Sequence, residues 1–378
     1  MIIVIADDIT GAAELGGIGL RYGLRVQLSD RVEAIPGIEL LVVYTNTRSM
    51  AKEEAVHVME QLTITSRELK PSLFYKKTDS ALRGHIIPEM EVQMKAMGFE
   101  KALLVPANPL LGRTIRDGEY YINGEPLHLT GFASDPEFPV NSSRVEDILR
   151  EDGSNLQLVK SHQSIPKGIA IGEATSPVDI SEWAKDSNND LLFAGGAGFF
   201  EALILEHYQK KAKPPPEFAG LSKPLLMVSG TTYRANVERI KGLSKLTSYM
   251  PPKVFSAAEI KSGDLEGWSD DAVSVMQREG MVIVAVNNSA GEKTDPAMLR
   301  ERMAEVTRLI IKKTTIRELI VEGGSTAFAV INRLGWHSFS PVYEMQQGIV
   351  RMQVIGIDQM HLTIKPGSYQ WPAWWNFN

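Results

Sequence analysis

Between Lys76 and Glu89 the chain reads KKTDSALRGHIIPE, which packs Lys76, Lys77, Asp79, Ser80 and Arg83 into eight residues just after an apolar run ending at Tyr75. Arginine offers a planar fork to a carboxylate or phosphate, lysine a point charge, and aspartate an acceptor that orients them or takes the hydrogen bond of a hydroxyl. An anionic, hydroxylated substrate would satisfy all of them, although an ion-pair cluster capping a helix near Gly84 would use the same residues. Asp7 and Asp8 form a second group, directly after the apolar run Ile2 to Ala6 and before a helix that opens near Thr10. Two adjacent carboxylates there can activate a hydroxyl or hold a metal; alternatively one caps the helix and the other is solvated. A third polar loop, PANPLLGRT, follows another apolar run and carries Asn108 and Arg113. Downstream, GFASDPEFPV adds Asp135 and prolines that can shape a pocket wall, as well as forming ordinary turns.

In the second half, VSGTTYRAN and VEGGSTAFAV place glycines and hydroxyls at strand-to-helix junctions, and HLTIKPGSYQW adds Lys365 and Gly367 after a strand. Glycines at such junctions let backbone N–H groups approach a phosphate while the following helix presents its positive end, yet Gly-Gly before a helix is also common turn chemistry. Other motifs fail on spacing. NNSAGEKTD lacks the glycine before lysine of a Walker loop, and neither GGIGLRYG nor GGAGFFEA spaces its glycines for a dinucleotide fingerprint. No histidine pair has zinc-ligand spacing. Trp371, Trp374 and Trp375 read as packing residues ahead of a base-stacking wall.

The elements that must position these groups follow from hydrophobic pattern. Short, nearly continuous apolar runs recur at Ile2 to Ala6, Ile38 to Tyr44, Ala102 to Pro106, Leu191 to Ala194, Leu225 to Val228, Met281 to Val286 and Leu319 to Val321. Such runs suit strands covered on both faces, as in parallel sheets. Between them, Ala51 to Leu69 and Asp295 to Ile311 space apolar residues as amphipathic helices do, with Ala55, Val58, Met59 and Leu62 on one stripe and Met298, Met303, Val306 and Ile310 on the other. The expected fold is α/β: two domains, each a largely parallel sheet flanked by helices. A proline-rich linker at residues 214–224 would separate a domain at 1–213 from one at 225–378. Pro106 to Asn141 is too long for an ordinary connection and is expected to be functional or locally folded.

Composition bounds the partners. With 378 residues, 43% hydrophobic, 23% charged and a formal net charge of -6, the chain reads as a soluble globular protein without the basic face that nucleic acid requires. Zero cysteines exclude disulfides and thiolate metal sites. The start, MIIVIADDITG, has no basic n-region, and the longest apolar stretch, Leu191 to Leu205, is too short for a span and contains Glu201. The expectation is a cytoplasmic protein with no membrane partner.

Taken together, IADDITGAAE, YKKTDSALRGHIIPE, LLVPANPLLGRTIRDGEYYINGEPL, DPEFPV, FAGGAGFFEAL, MVSGTTYRANVERI and VEGGSTAFAVINRLGW stand in an order that resembles the four-carbon acid sugar kinase family across nearly the whole chain. The resemblance implies a sugar-acid domain followed by an ATP domain, with magnesium as cofactor and γ-phosphoryl transfer in the cleft between them. It implies catalytic roles for Asp7 and Asp8, and substrate contacts from Lys77, Asp79, Ser80 and Arg83, to which the strand-end loop adds Asn108 and Arg113. Nucleotide contacts would come from Ser229, Thr231, Gly323, Gly324, Ser325, Thr326 and Gly367. Three departures fall in the nucleotide half. Gly323 to Thr326 replaces Gly-Gly-Glu-Thr, Ser229 to Tyr233 replaces Ser-Gly-Ser-Cys-Ser, and SYQWPAWW replaces the terminal Phe-Gly. The alternative is therefore a sugar-acid-binding protein of the same fold with lost or altered nucleotide use. A nicotinamide-dependent hydroxy acid dehydrogenase would need a fingerprint that is missing. A homo-oligomer is compatible with either reading.

Overall fold

Ile2–Ala6 forms β1, buried at every position, because it lies inside a sheet with a parallel strand on each side. In the computed structural model the chain divides into two units, Met1–Lys213 and Pro214–Asn378. The structure describes residues 1–135, 138–151, 154, 156–161, 163–185, 190–208, 212, 218, 220–230, 253–255, 264–286 and 295–372. The triple proline, Thr231, residues 287–294 of the rejected Walker-like stretch, Trp374 and Trp375 lie outside the described residues.

In the N-terminal unit β1 is followed by α1 (Ile9–Arg21), β2 (Val26–Ser29), β3 (Leu40–Tyr44), α2 (Lys52–Glu68), β4 (Leu73–Lys77), α3 (Ile86–Met97) and β5 (Lys101–Val105). The long Pro106 to Asn141 stretch is locally folded: β6 (Arg113–Arg116), β7 (Glu119–Ile122) and β8 (Glu125–Pro126) make a small antiparallel sheet. Then come α4 (Val145–Ile148), β9 (Leu156–Val159), β10 (Gly168–Gly172), α5 (Pro177–Lys185), β11 (Leu192–Gly195) and α6 (Ala197–Tyr208). The main strands run β2-β3-β1-β4-β11-β5-β10-β9, all parallel. Ala6 is in register with Tyr44 on one side and Lys77 on the other, and Lys77 with Gly195. The loops after four neighbouring strands therefore leave from one edge. On its other side β11 lies too close to β5 for any side chain at Gly195, where φ is +148 and a Cβ would lie 2.1 Å from the Val105 carbonyl oxygen.

Helix α2 buries Ala55, Met59, Thr63 and Ser66, so its inner stripe is rotated from the expected one and Val58 and Leu62 are only half-buried. The two hydroxyls tolerate burial because Thr63 and Ser66 donate to the Met59 and Leu62 carbonyls, both at 2.7 Å. Strand alternation separates the paired lysines. Lys76 points toward α2 and α3, fully buried and ion-paired with Glu89, whereas Lys77 faces α1 and the strand-end edge.

In the C-terminal unit the elements are β12 (Leu225–Ser229), β13 (Lys253–Phe255), α7 (Leu265–Glu279), β14 (Met281–Val286), α8 (Pro296–Lys313), β15 (Glu318–Glu322), α9 (Gly324–Leu334), β16 (Ser338–Gln346), β17 (Ile349–Val354) and β18 (His361–Lys365). Strands β13, β14, β12, β15 and β18 pair in parallel, and β17 and β16 continue the sheet antiparallel. That antiparallel extension is absent from the sequence reading, since β-bulges break the alternation of SFSPVYEMQ. Trp371 is buried with Leu225, Met227, Ile320 and Met345, as the packing reading expects. Met298, placed on the inner stripe of α8 by its spacing, is instead exposed. Among the described residues no helix is long and apolar enough to cross a membrane.

The Lys76–Glu89 pair tests how this core holds its charges. Lys76→Met leaves Glu89 buried without its cation and is expected to lower stability by about 3 to 5 kcal/mol. Adding Glu89→Leu should recover most of the loss in urea unfolding followed by tryptophan fluorescence. A single variant as stable as the parent would show that the pair does not compensate the buried charge.

Candidate active site

The edge of the N-terminal sheet is organised by charge. Asp8 stands at the N-cap of α1, where its Oδ1 accepts from Gly11 N at 2.8 Å and its Oδ2 from Thr10 Oγ1 at 2.5 Å. Gly11 permits this crowding, since a Cβ there would lie 2.8 Å from Asp8 Oδ1 and 3.2 Å from Lys77 Nζ. Asp7, only 3% exposed, takes a hydrogen bond from Arg48 Nε at 2.9 Å on its Oδ2, while its Oδ1 is buried without a hydrogen-bond partner among the described residues.

Arg48 is the group that the sequence reading misses. It sits in a 3-10 turn, Thr47–Ser49, just past β3. Its Nη1 reaches Asp8 Oδ2 at 3.1 Å and Asp79 Oδ1 at 3.5 Å. One guanidinium thus serves carboxylates that follow β1 and β4, the two strands beyond its own in the sheet order. Its position after an apolar run was the only available signal, since a lone arginine in TNTRS has no motif spacing.

Asp79 and Arg83 lock onto each other. Arg83 Nε and Nη2 donate to Asp79 Oδ2 and Oδ1, both at 2.8 Å, and Asp79 Oδ2 also accepts from the backbone of Ala81 at 3.0 Å and Arg83 at 3.3 Å. The turn between them places buried Leu82 at φ 60, a left-handed conformation that a branched side chain rarely adopts. The third guanidinium nitrogen of Arg83 donates to Asp135 Oδ2 at 2.6 Å, over the Phe132 ring at 5.1 Å. Lys77 donates to the Thr78 carbonyl at 2.8 Å and lies 3.9 Å from Glu14. Ser80 is held from outside: Arg113 donates to its hydroxyl and Tyr120 to its carbonyl. Asn108 and Arg113 exchange backbone hydrogen bonds at 2.8 and 3.0 Å. Of the eight expected residues of this half, Asp7, Asp8, Asp79 and Arg83 are joined through Arg48, Ser80, Asn108 and Arg113 form a neighbouring hydrogen-bonded group, and Lys77 adds positive charge beside Asp8 and Asp79; the helix after Arg83 opens at Ile86 instead of near Gly84.

Burial pushes the Asp8 carboxyl up, but Arg48, Lys77 and the hydrogen bonds from Thr10 and Gly11 outweigh it and hold it below its ordinary value of 3.8. At Asp79 burial is likewise overcome by Arg83, then Arg48, and the carboxyl lies well below that value. Both are fixed anions near neutrality, suited to accept hydrogen bonds and poorly suited to take a proton.

In the C-terminal unit, Ser229, Glu322 and Lys365 are in register across β12, β15 and β18. Ser229 Oγ donates to Glu322 Oε2 and Lys365 Nζ to Glu322 Oε1, each at 2.6 Å. Glu322 and Lys365 are fully buried. The expected nucleotide ligand Ser229 thus has its one hydroxyl proton directed to Glu322, beneath the loop. Above this row, Gly230 donates to the Glu322 carbonyl at 3.1 Å and Gly323 to the Lys365 carbonyl at 2.9 Å. Gly323, at φ +105, leads into α9, whose first turn holds Gly324, Ser325 and Thr326. A Cβ on Gly230 would fall 2.0 Å from Thr326 Oγ1. Bare backbone at a helix N-terminus is chemically fitted to phosphate oxygens. Gly367 follows β18 at the same strand end.

Residues 2–203 match the family model described as "Sugar-binding N-terminal domain", and residues 250–369 match "Nucleotide-binding C-terminal domain". The chain is similar to a D-threonate kinase of Salmonella typhimurium, 26% identical with 97% of this chain and 95% of the relative covered. It is also similar to a D-erythronate kinase of Heliobacterium modesticaldum, 25% identical with 88% and 85% covered. A solved structure described as a putative tRNA synthase from Salmonella typhimurium LT2 shares the fold at a TM-score of 0.78, with 17% identity over 98% of this chain and 96% of that one.

Because Asp8 and Asp79 are acidified by folding, the stability they contribute is complete above about pH 4 and lost as pH falls below their ordinary 3.8. Arg48→Met removes a cation common to both and is expected to move the acid-unfolding midpoint to higher pH, read by circular dichroism. An unchanged midpoint would show that Arg48 does not hold these carboxylates.

Proposed function

The chain belongs to the four-carbon acid sugar kinases, whose sugar-binding N-terminal domain model alone matches residues 2–203, and from that premise we propose that it phosphorylates a hydroxyl of a tetronate with ATP. The sugar acid binds at the N-terminal sheet edge, and the nucleotide at the glycine loops of the C-terminal unit. The observation that carries the reading is Asp7 Oδ1, a buried carboxylate oxygen without a hydrogen-bond partner among the described residues, next to Arg48 and its partners Asp8 and Asp79.

In this reading Asp7 is the catalytic base of the pair. Arg48 holds its Oδ2 and fixes the direction of Oδ1, which accepts the substrate hydroxyl and takes its proton as the new oxygen–phosphorus bond forms. Asp8 is occupied as the helix cap and serves to orient Arg48 and Thr10. Lys77 supplies positive charge at the edge, Arg83 binds the substrate carboxylate, and Ser80, Asn108 and Arg113 shape the acceptor loop. Mg·ATP, when bound, supplies the phosphoryl group. Gly230, Gly323, Gly324, Ser325, Thr326 and Gly367 fit a triphosphate because a Cβ at Gly230 would fill the approach. Magnesium accompanies the phosphates in this proposal; among the described residues no three acids or histidines converge as a ready-made cage. Transfer then rests on positioning and charge stabilisation, without a covalent intermediate. The setting we propose is the cytoplasm.

An ADP-release screen with D-threonate, D-erythronate and 3-oxo-tetronate tests the reaction. Asp7→Asn is expected to reduce kcat at least roughly 100-fold, and full activity in that variant would remove Asp7 from its role. Thermal shifts separate the two units: Gly230→Ala should lose stabilisation by Mg·ATP while keeping stabilisation by the sugar acid. A parent stabilised by tetronate but not by Mg·ATP would instead favour a binding protein, the reading suggested by the position of Ser229.

A further inference from the structure

We propose that Asp135 is an internal stand-in for the substrate's carboxylate, occupying Arg83 until a four-carbon acid displaces it, and that this exchange selects acids over neutral polyols; the inference rests on the sugar-acid reading above. Two of the three guanidinium nitrogens of Arg83 are committed to Asp79 from the same turn. The third meets Asp135, which arrives from a separate loop 52 residues away in sequence. A carboxylate on that nitrogen is the contact expected of a substrate acid, and here the chain itself provides it.

The pair is also the most accessible charge contact of the network. Arg83 and Asp135 side chains are 22% and 16% exposed, against 13% for Arg48, 5% for Asp7, 13% for Asp8 and 7% for Asp79. Asp135 accepts from Phe138 N at 2.8 Å on its other oxygen, so its Oδ2 can exchange Arg83 for water while that turn holds, whereas Asp79 has both oxygens engaged by Arg83 and the turn that it organises. Phe132 under the guanidinium keeps Arg83 in place during the exchange. A substrate carboxylate replaces one ion pair with another, so the charge balance of the site is preserved. A neutral polyol has no group to offer in exchange, and would have to leave Asp135 in the space or expose Arg83 unpaired. Asp135 thus sets a cost for occupying the site that only a ligand bringing its own anion recovers at Arg83.

The test is calorimetric titration of parent, Asp135→Asn and Asp135→Glu with D-threonate and D-erythronate, and with erythritol and threitol as neutral probes. Thermal melts check folding, and Asp135→Ser replaces the amide variant should that variant not fold. With the stand-in removed, acid affinity is expected to rise roughly three- to tenfold, and affinity for the neutral polyols by no more than the same factor. Asp135→Glu, which keeps the anion, is expected to bind the acids no more tightly than the parent. Weaker or equal acid binding by Asp135→Asn would overturn the proposal and make Asp135 a support that positions Arg83. A gain in Asp135→Glu matching that of Asp135→Asn would overturn it too, since shape and not charge would then be responsible. A parent that binds neither acid would instead sink the sugar-acid reading itself, and this inference with it.

Discussion

Three carboxylates meeting at one strand edge repel one another unless a cation stands among them, and Arg48 is that cation. At these separations in a partly buried setting, like charges unscreened would oppose folding by several kcal/mol. A guanidinium satisfies them geometrically as well as electrostatically, since its fork can address more than one acceptor at once. Arg48 thereby ties the loops after β1, β3 and β4 together, and it orients Asp7 so that one oxygen is held and the other is buried without a hydrogen-bond partner among the described residues. The capping carboxylate of Asp8, the Asp79 that Arg83 also grips, and Asp7 with its unpartnered oxygen all meet the same guanidinium.

The C-terminal unit solves a different problem at its own edge. Its glycine loops need to present backbone, and backbone can be presented only if the strands beneath stay in register. Ser229, Glu322 and Lys365 form a closed row that is electrically neutral and almost dry. Lys365 also donates to the Pro366 carbonyl at 3.0 Å and lies 5.4 Å from the Trp371 ring centre. The row acts as a floor for the loops above it, which differs from the role that hydroxyl-rich strand ends suggest from sequence.

Much of the fold was legible because buried parallel strands are nearly continuous apolar runs, and the position just after each run identified Asp7, Asp8, Lys77, Asp79 and Arg83. Alternation within β4 already implies that Lys76 and Lys77 face opposite sides. What remained hidden depends on distance along the chain. Arg48 carries no spacing signal, Arg83 and Asp135 meet across 52 residues, and the Glu322 row exists only once three strands are aligned. Short-range pattern identifies which residues leave a strand end, but the pairing among them is set by strand order. The stripe of α2 was misread for a local reason, since Thr63 and Ser66 satisfy their own hydroxyls on the preceding turn and so pass as core residues.

The small sheet of β6, β7 and β8 stands apart from the charge network and touches it at Ser80, through Arg113 and Tyr120. This arrangement is modular. Drift in the hairpin can resize or reshape the space around an acceptor while the acids and arginines at the strand ends keep their mutual geometry. A scaffold divided in this way can diversify its ligand repertoire through an appendage, without reopening the chemistry that the sheet has settled.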